Sequence, residues 1–274
     1  MKFIDKYNQR VDQVDSLLCV GLDANLEQLP ARFREQAQPQ FVFNQWIIEQ
    51  THPFVSAYKP NSAFYEARGA AGWQELQLTM DYLHQQHPEI PVILDAKRAD
   101  IGNTNQGYVT AIFDQLGMDA VTLHPYLGMA ALAPFLERSD KGCIILCKTS
   151  NPDSGELQDL PVADGQLLWQ LVAQQVASKW NRLGNCLLVV GATYPEELAQ
   201  VRKLTGEMTF LVPGIGAQGG DVAATVKAGL NSAGKGLIIN SARGIIFADD
   251  PAVAARELRE EINLYRKKSG DGGL

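Results

Sequence analysis

"IPVILDAKRADIGNTNQGYVTAIFDQLG", residues 90–117, is the stretch from which the rest of the chain can be read. It opens on an apolar run of strand length, "IPVIL". It then sets two carboxylates and two cations within six positions, at Asp95, Lys97, Arg98 and Asp100. It closes on an amphipathic stretch, "NQGYVTAIFDQLG", whose apolar residues recur at helical spacing. A buried strand, a charged strand end and a helix, in that order, make one β/α unit.

The same unit recurs along the chain. Strand candidates are "LLCVGLD" (17–23), "VSAYKP" (55–60), "PVILDAK" (91–97), "DAVTLHP" (119–125), "GCIILCK" (142–148), "CLLVVGAT" (186–193), "TFLVPG" (209–214) and "GLIINSA" (236–242). Most are almost continuously apolar, as expected of parallel strands covered on both faces. Helix-like segments lie between them, including "QFVFNQWIIEQTH", "AGWQELQLTMDYLHQQ" and "DGQLLWQLVAQQVASKWNRLG". A last helix carries Asp250 as its cap, Pro251 at its first position and Arg266, Lys267 and Lys268 at its end, where the helix dipole favours cations. Eight such units in 274 residues predict an α/β chain folded as a (β/α)8 TIM barrel. A doubly wound open sheet is the structural alternative. With no linker and no shift of composition, residues 1–274 are expected to form one barrel domain, with 269–274 a disordered tail.

Bulk properties narrow the function. The chain is 46% hydrophobic and 20% charged, with a net charge of −7. That balance argues against a nucleic-acid partner, which needs a basic patch, but not against an anionic small molecule held by a few local cations. No apolar run is long enough to span a bilayer, so no membrane association is expected. "MKFIDKYNQR" has no signal-peptide core. Cys19, Cys143, Cys147 and Cys186 all fall in apolar runs, as buried thiols of a reduced, cytoplasmic protein do.

Active sites of such barrels form at the C-terminal ends of the strands. Those ends supply Asp23, Lys59, Asp95 with Lys97, His124, Thr149 with Ser150, "VPGIGAQGGD" and "NSARG". The loops after strands seven and eight are the usual phosphate site of this fold. There a glycine-rich loop, a helix beginning near Gly219 and the Arg243 guanidinium suit an anion. Asp95 and Lys97, two apart on a strand, point together into the barrel mouth, and Lys59 from the neighbouring strand puts Asp95 between two lysines. Arg98 faces elsewhere. Asp100 lies beyond the strand, where its structural role would be to cap the next helix with Asn103 and Thr104. His52, His84 and His87 are read as surface residues, and His124 as a strand-end hydrogen-bonding group. No set of His, Cys and carboxylates has convincing metal-ligand spacing, and no Ser-His-Asp elbow occurs.

"LDAKRADIGNT" (94–104) resembles the DxKxxDIxxT signature of the orotidine 5′-monophosphate decarboxylases. "VGLDANLEQLP", "AYKPNSAFYE", "LCKTSNP", "VPGIGAQGGD" and "NSARGI" also resemble that family's strand-end motifs, in order and over nearly the whole chain. The longer loops are similar to those of its longer-chain, type 2 branch. The resemblance implies cofactor-independent decarboxylation of orotidine 5′-monophosphate to uridine 5′-monophosphate and CO2, the last step of de novo UMP synthesis. It implies Lys97 as proton donor, and an alternating charge array of Lys59, Asp95, Lys97 and Asp100. Asp100 and Thr104 would come from the partner subunit of a homodimer. Asp23 and Lys59 would hold ribose hydroxyls with Thr104, Ser150 would read the pyrimidine, and Gln218 and Arg243 would hold the phosphate.

Two positions depart from the family pattern: Ala24 stands where proline is common, and Ala242 where glycine is common. Two rival readings remain at this point. One is a magnesium-dependent sugar-phosphate decarboxylase or aldolase on a related barrel, in which a metal-binding glutamate stands at the position of Lys59. The other is a catalytically silent phosphate-binding barrel, for which a broken charge array is expected. The loop "NPDSGELQDLPVADG" (151–165) has no assigned role beyond covering the pyrimidine.

Overall fold

Each of the eight apolar runs forms a strand, because an unbroken run of Val, Ile, Leu and Cys can be satisfied only where both faces are buried. A computed structural model describes residues 1–215 and 219–270 of the chain. The strands are β1 (Leu18–Gly21), β2 (Ala57–Lys59), β3 (Ile93–Arg98), β4 (Ala120–Leu123), β5 (Gly142–Lys148), β6 (Cys186–Val190), β7 (Phe210–Pro213) and β8 (Leu237–Ser241). All pairings are parallel, in the order β2-β1-β8-β7-β6-β5-β4-β3. The ring closes between β2 and β3 through two isolated bridges, Tyr58↔Val92 and Asn61↔Asp95. The open-sheet alternative is thereby excluded.

Helices stand between the strands, among them Pro39–Thr51, Gly69–Gln86, Gly102–Val109 and Leu168–Gln175. Two expected helices end in π turns, at Thr110–Gln115 and Val176–Trp180. The last helix, Pro251–Gly270, starts as expected: Asp250 Oδ1 accepts the Val253 N–H at 3.0 Å. It runs two residues into the segment expected to be a tail; residues 271–274 lie outside the described part.

One element has no counterpart in the strand-and-helix reading above. Helix Phe3–Val14 lies across the N-terminal mouth of the barrel. Tyr7 Oη donates to the Leu237 carbonyl at 2.6 Å. The Phe3 ring fills the space above Gly142 so closely that a Cβ there would come within 2.5 Å of it. The bottom of the barrel is thus plugged by side chains, and the top stays open for chemistry.

The four cysteines are buried free thiols. Burial pushes Cys19, Cys147 and Cys186 up to about 12, so none is a nucleophile at neutral pH. No helix among the described residues is long and apolar enough to cross a membrane. The histidines read as scattered surface residues are not all scattered. Helices Pro39–Thr51 and Gly69–Gln86 each stop at a His-Pro pair, which brings His52 and His87 face to face with ring centroids 4.4 Å apart.

Candidate active site

Strand β3 does not run evenly into the site. It pairs in register at Ile93↔Ala120 and Leu94↔Val121, and resumes only at Arg98↔Leu123. Four residue steps on β3 therefore face two on β4. The surplus is absorbed in a bulge, with Lys97 in the left-handed region at φ 48°. A long side chain rarely adopts that conformation, and such outliers cluster where side chains must be aimed. The bulge aims Lys97 back at Asp95. Its Nζ lies 2.6 Å from Asp95 Oδ1. Simple alternation predicts the same meeting, but an irregular backbone accomplishes it.

The charges form a row: Asp23, Lys59, Asp95, Lys97. Lys59 Nζ lies 3.9 Å from Asp23 Oδ2 and 3.0 Å from Asp95 Oδ2. Thr122 Oγ1 donates to Asp95 Oδ1 at 2.8 Å and accepts the Lys97 N–H at 2.9 Å, locking both residues of the bulge. The Asn61 N–H donates to Asp23 Oδ1 at 3.0 Å. Burial by itself would raise the Asp95 carboxyl; Lys59 and Lys97 outweigh it and hold the group well below the usual carboxylate range. Burial would lower the Lys59 ammonium, yet Asp23 and Asp95 raise it above its ordinary value. Asp23 goes the other way. Its burial outweighs Lys59, and its carboxyl is raised.

These side chains line a cavity of about 730 Å³ at the C-terminal mouth, together with Asn61, Thr122, Ser150, Gln158, Asn240 and Arg243. Of the residues singled out above, Asp23, Lys59, Asp95, Lys97, Thr149, Ser150 and Arg243 share that cavity. Asp100 and Thr104 do not line it. Asp100 Oδ1 accepts the N–H of Ile101 at 2.7 Å, and its own N–H is held by Asn105 Oδ1 at 2.8 Å. The helix Gly102–Val109 has Ile101 at its cap and no side-chain cap, so the capping role for Asp100, Asn103 and Thr104 is not realised. Arg98 is turned away as expected, paired with Glu66 and stacked over the Tyr108 ring at 5.3 Å. Gln218 lies outside the described residues.

On the far side of the cavity, the loop after β7 turns on Gly214 at φ 104° and is drawn together by an Ile215↔Gly220 bridge. A Cβ on Gly220 would sit 2.8 Å from the Gly214 carbonyl oxygen, so only glycine closes this loop. The helix expected near Gly219 begins later, at Val222. Its end is already occupied, since Asp221 accepts the Ala224 N–H at 2.9 Å. That capping carboxylate sets a negative charge beside the helix end, which an anion there would have to meet. Arg243 lines the same side of the cavity. Ala242, where the family often has glycine, has φ −122° and so does not need the left-handed conformation that favours glycine.

Several contributors escape a reading of strand ends alone. Thr122 is a polar residue inside an apolar strand, and Asn61 follows Lys59 by two; both could have been found on those grounds. Asn240 is buried in the wall with its Oδ1 unpartnered among the described residues, an acceptor that a bound donor would satisfy. The loop after β5 is anchored in a way no motif reveals. Lys148, 1% exposed, is held by both oxygens of Asp159 at 2.6 and 2.7 Å and lies 4.7 Å from the Tyr194 ring centre. Beside it the Gln158 amide accepts the Thr149 N–H at 2.9 Å and donates to Thr149 Oγ1 at 2.8 Å. Loop 151–165 is thus clasped to the strand end at the cavity's edge.

Residues 16–258 match the family described as Orotidine 5'-phosphate decarboxylase / HUMPS family. The chain belongs to this family. Among relatives, the Orotidine 5'-phosphate decarboxylase of Cellvibrio japonicus (strain Ueda107) is 49% identical over 275 residues, covering 97% of this chain and 100% of that one. That of Azoarcus sp. (strain BH72) is 48% identical over 273 residues, covering 97% and 100%. The solved structure of Leishmania donovani OMP decarboxylase superposes with a TM-score of 0.88 at 43% identity, covering 97% of this chain and 99% of that chain. The orotidine 5′-phosphate decarboxylase resemblance of "LDAKRADIGNT" therefore extends to the whole fold.

Proposed function

We infer that this protein decarboxylates orotidine 5′-monophosphate to uridine 5′-monophosphate and CO2 without a cofactor, with Lys97 as the acid. The observation that carries this reading is the unbroken row Asp23–Lys59–Asp95–Lys97 at the mouth of the barrel. Loss of CO2 from C6 of the pyrimidine leaves an in-plane carbanion that the ring cannot delocalise, so fixed charge must stabilise it. Lys97, held by Asp95 and with half of its side chain exposed to the cavity, supplies the cation beside that carbon and then its proton. Asp95, kept ionised by two lysines, faces the substrate carboxylate. Two unit charges about 4 Å apart at an effective dielectric near 20 interact by about 4 kcal/mol. That repulsion disappears as CO2 leaves, while the attraction to Lys97 grows.

The other assignments follow the cavity wall: Asp23 and Lys59 to the ribose, Ser150 to the pyrimidine and Arg243 to the phosphate; Gln218 is assigned beside Arg243 on the family motif alone. Against a magnesium-dependent relative stands Lys59, whose ammonium lies between two carboxylates where a dication would have to bind. Against a silent barrel stands the Lys59–Asp95–Lys97 part of the array, intact within one chain.

Asp100 and Thr104 serve the neighbouring subunit of a homodimer. Support comes from the surface beside them, where Ile101 (64%) and Tyr126 (81%) are strongly exposed and Leu127 and Met129 partly so. An apolar patch of this kind calls for a partner, and a second copy would carry Asp100 with it. The buried thiols fit the reducing cytoplasm. The deciding experiment is incubation of the purified chain with orotidine 5′-monophosphate and a chelator while the substrate's ultraviolet absorbance is followed. Turnover is expected; an unchanged absorbance sinks the reading.

A further inference from the structure

At the opposite mouth of the barrel two neighbouring helices stop in the same manner. Pro39–Thr51 is followed by His52-Pro53, and Gly69–Gln86 by His87-Pro88. Proline cannot continue a helix, so each histidine is fixed where its helix gives out. Glu49 lies one turn before His52, and residues three apart share a helix face. The Glu-x-x-His spacing is one by which helices hold metal ions. His87 Nε2 is 3.0 Å from Glu49 Oε1. One ligand atom from each of Glu49, His52 and His87 can be chosen so that all lie within 4.8 Å of one another.

The surroundings suit a cation. The C-terminal ends of both helices point their negative dipole ends at this place. Tyr82 Oη donates to Glu49 Oε1 at 2.6 Å, the kind of outer contact that orients a ligating carboxylate. Arg10, the nearby guanidinium, is engaged with the carbonyls of His52 and Val55 and with Glu89, so its charge is matched locally and it braces the backbone of the site.

We propose that Glu49, His52 and His87 form a binding site for a transition-metal dication of the zinc class. Two imidazoles and a carboxylate are a borderline donor set that selects zinc, nickel or copper over magnesium and calcium. Zinc bonds of about 2.0–2.1 Å set tetrahedral ligand atoms roughly 3.3 Å apart. The Glu49–His87 pair, at 3.0 Å, already lies near that spacing, and His52, whose ligand atom is within 4.8 Å of theirs, completes it by a shift of up to about 1.5 Å, with water in the fourth position. The ion ties the helix that leads into β2 to the helix that leads into β3. This site is independent of the decarboxylase reading, because it shares no residue with the cavity.

The test uses the full chain, stripped with chelator, dialysed and titrated with zinc chloride by calorimetry, with cobalt(II) as a visible-absorption probe. One zinc per chain and a zinc-dependent rise in unfolding temperature are expected, with magnesium giving neither. The His52→Ala/His87→Ala chain should lose both effects, and Glu49→Gln should weaken binding. Tyr82→Phe, which removes only the outer contact, should weaken it roughly tenfold. Circular dichroism checks that the variants fold. No zinc binding by the parent overturns the proposal, as does equal binding by Glu49→Gln and the double-histidine variant, which would put the ion elsewhere.

Discussion

Replacing Asp159 by asparagine keeps the shape of the loop after β5 but leaves the Lys148 ammonium without its counter-charge. Lys148 is 1% exposed, whereas the Asp159 side chain is 43% exposed. Stranding one member of a fully buried pair costs about 3–5 kcal/mol. Water can reach this pair from the Asp159 side, so screening reduces the loss to about 1–3 kcal/mol. The Tyr194 face retains part of the lysine's stabilisation through a cation–π contact of about 0.5–2 kcal/mol. The loss falls on the clasped form of the loop. At about 1.4 kcal/mol per factor of ten, the equilibrium constant for the clasped loop drops roughly 5- to 140-fold, and apparent affinity drops with it once the unclasped form predominates. The expected result for Asp159→Asn is therefore a rise of about fivefold or more in KM for orotidine 5′-monophosphate and in Kd for uridine 5′-monophosphate. Limited proteolysis within 151–165 should accelerate. Lys148→Met/Asp159→Leu, with no stranded charge, should regain protease resistance. If Asp159→Asn binds product within twofold of the parent and its loop is cut no faster, the clasp does not hold the loop.

Lys97→Ala should lower turnover by at least about 10²–10⁴-fold, the usual contribution of a general acid, with an unchanged circular dichroism spectrum; near-normal turnover would refute the assignment. Mixing Asp100→Asn protein with Lys97→Ala protein should restore measurable activity through hybrid dimers, and no recovery after subunit exchange excludes a shared site. Asp23 gives a test with a definite sign. Its carboxyl is raised by burial, so the ionised form is less favoured in the folded chain than in the unfolded one, and ionised Asp23 lowers stability above its titration range. Asp23→Asn should thus raise the unfolding temperature at neutral pH while weakening nucleotide binding. The gain should shrink as pH falls through that range, and a less stable variant at pH 7 contradicts the account.

Much of the fold is legible because parallel barrel strands are buried on both faces and so leave apolar runs that composition alone reveals. "GCIILCK" forms a strand over its full length, Gly142–Lys148. "VSAYKP" shrinks to Ala57–Lys59, since Pro60 has no N–H to extend the ladder. Asp95, Lys97 and Lys59 are legible because charge at the end of a buried strand has few structural uses. What stays hidden is what depends on space rather than order. The bulge at Lys97, the Thr122 hydroxyl that locks it and the Lys148–Asp159 clasp join residues whose meeting no periodicity encodes. Helix Phe3–Val14 is hidden likewise: its role as a plug is defined by Gly142 and Leu237, far away in the chain.

The closure of the ring between β2 and β3 has a further consequence. The two isolated bridges there include the Tyr58 N–H to Pro91 O bond at 3.1 Å and the Asp95 N–H to Pro60 O bond at 2.9 Å, and the Lys59–Asp95 ion pair spans the same line. This is the thinnest stave joint of the barrel, and the charged row is its fastener. A nucleotide held by Asp23 and Lys59 on one side and by Asp95 and Lys97 on the other stitches the joint shut. Binding should therefore slow amide hydrogen exchange along β2 and β3 more than along the long β5–β6 pairing. Mutational drift in this row would then be constrained twice over, because any charge lost from it both blunts the chemistry and lets the barrel gape.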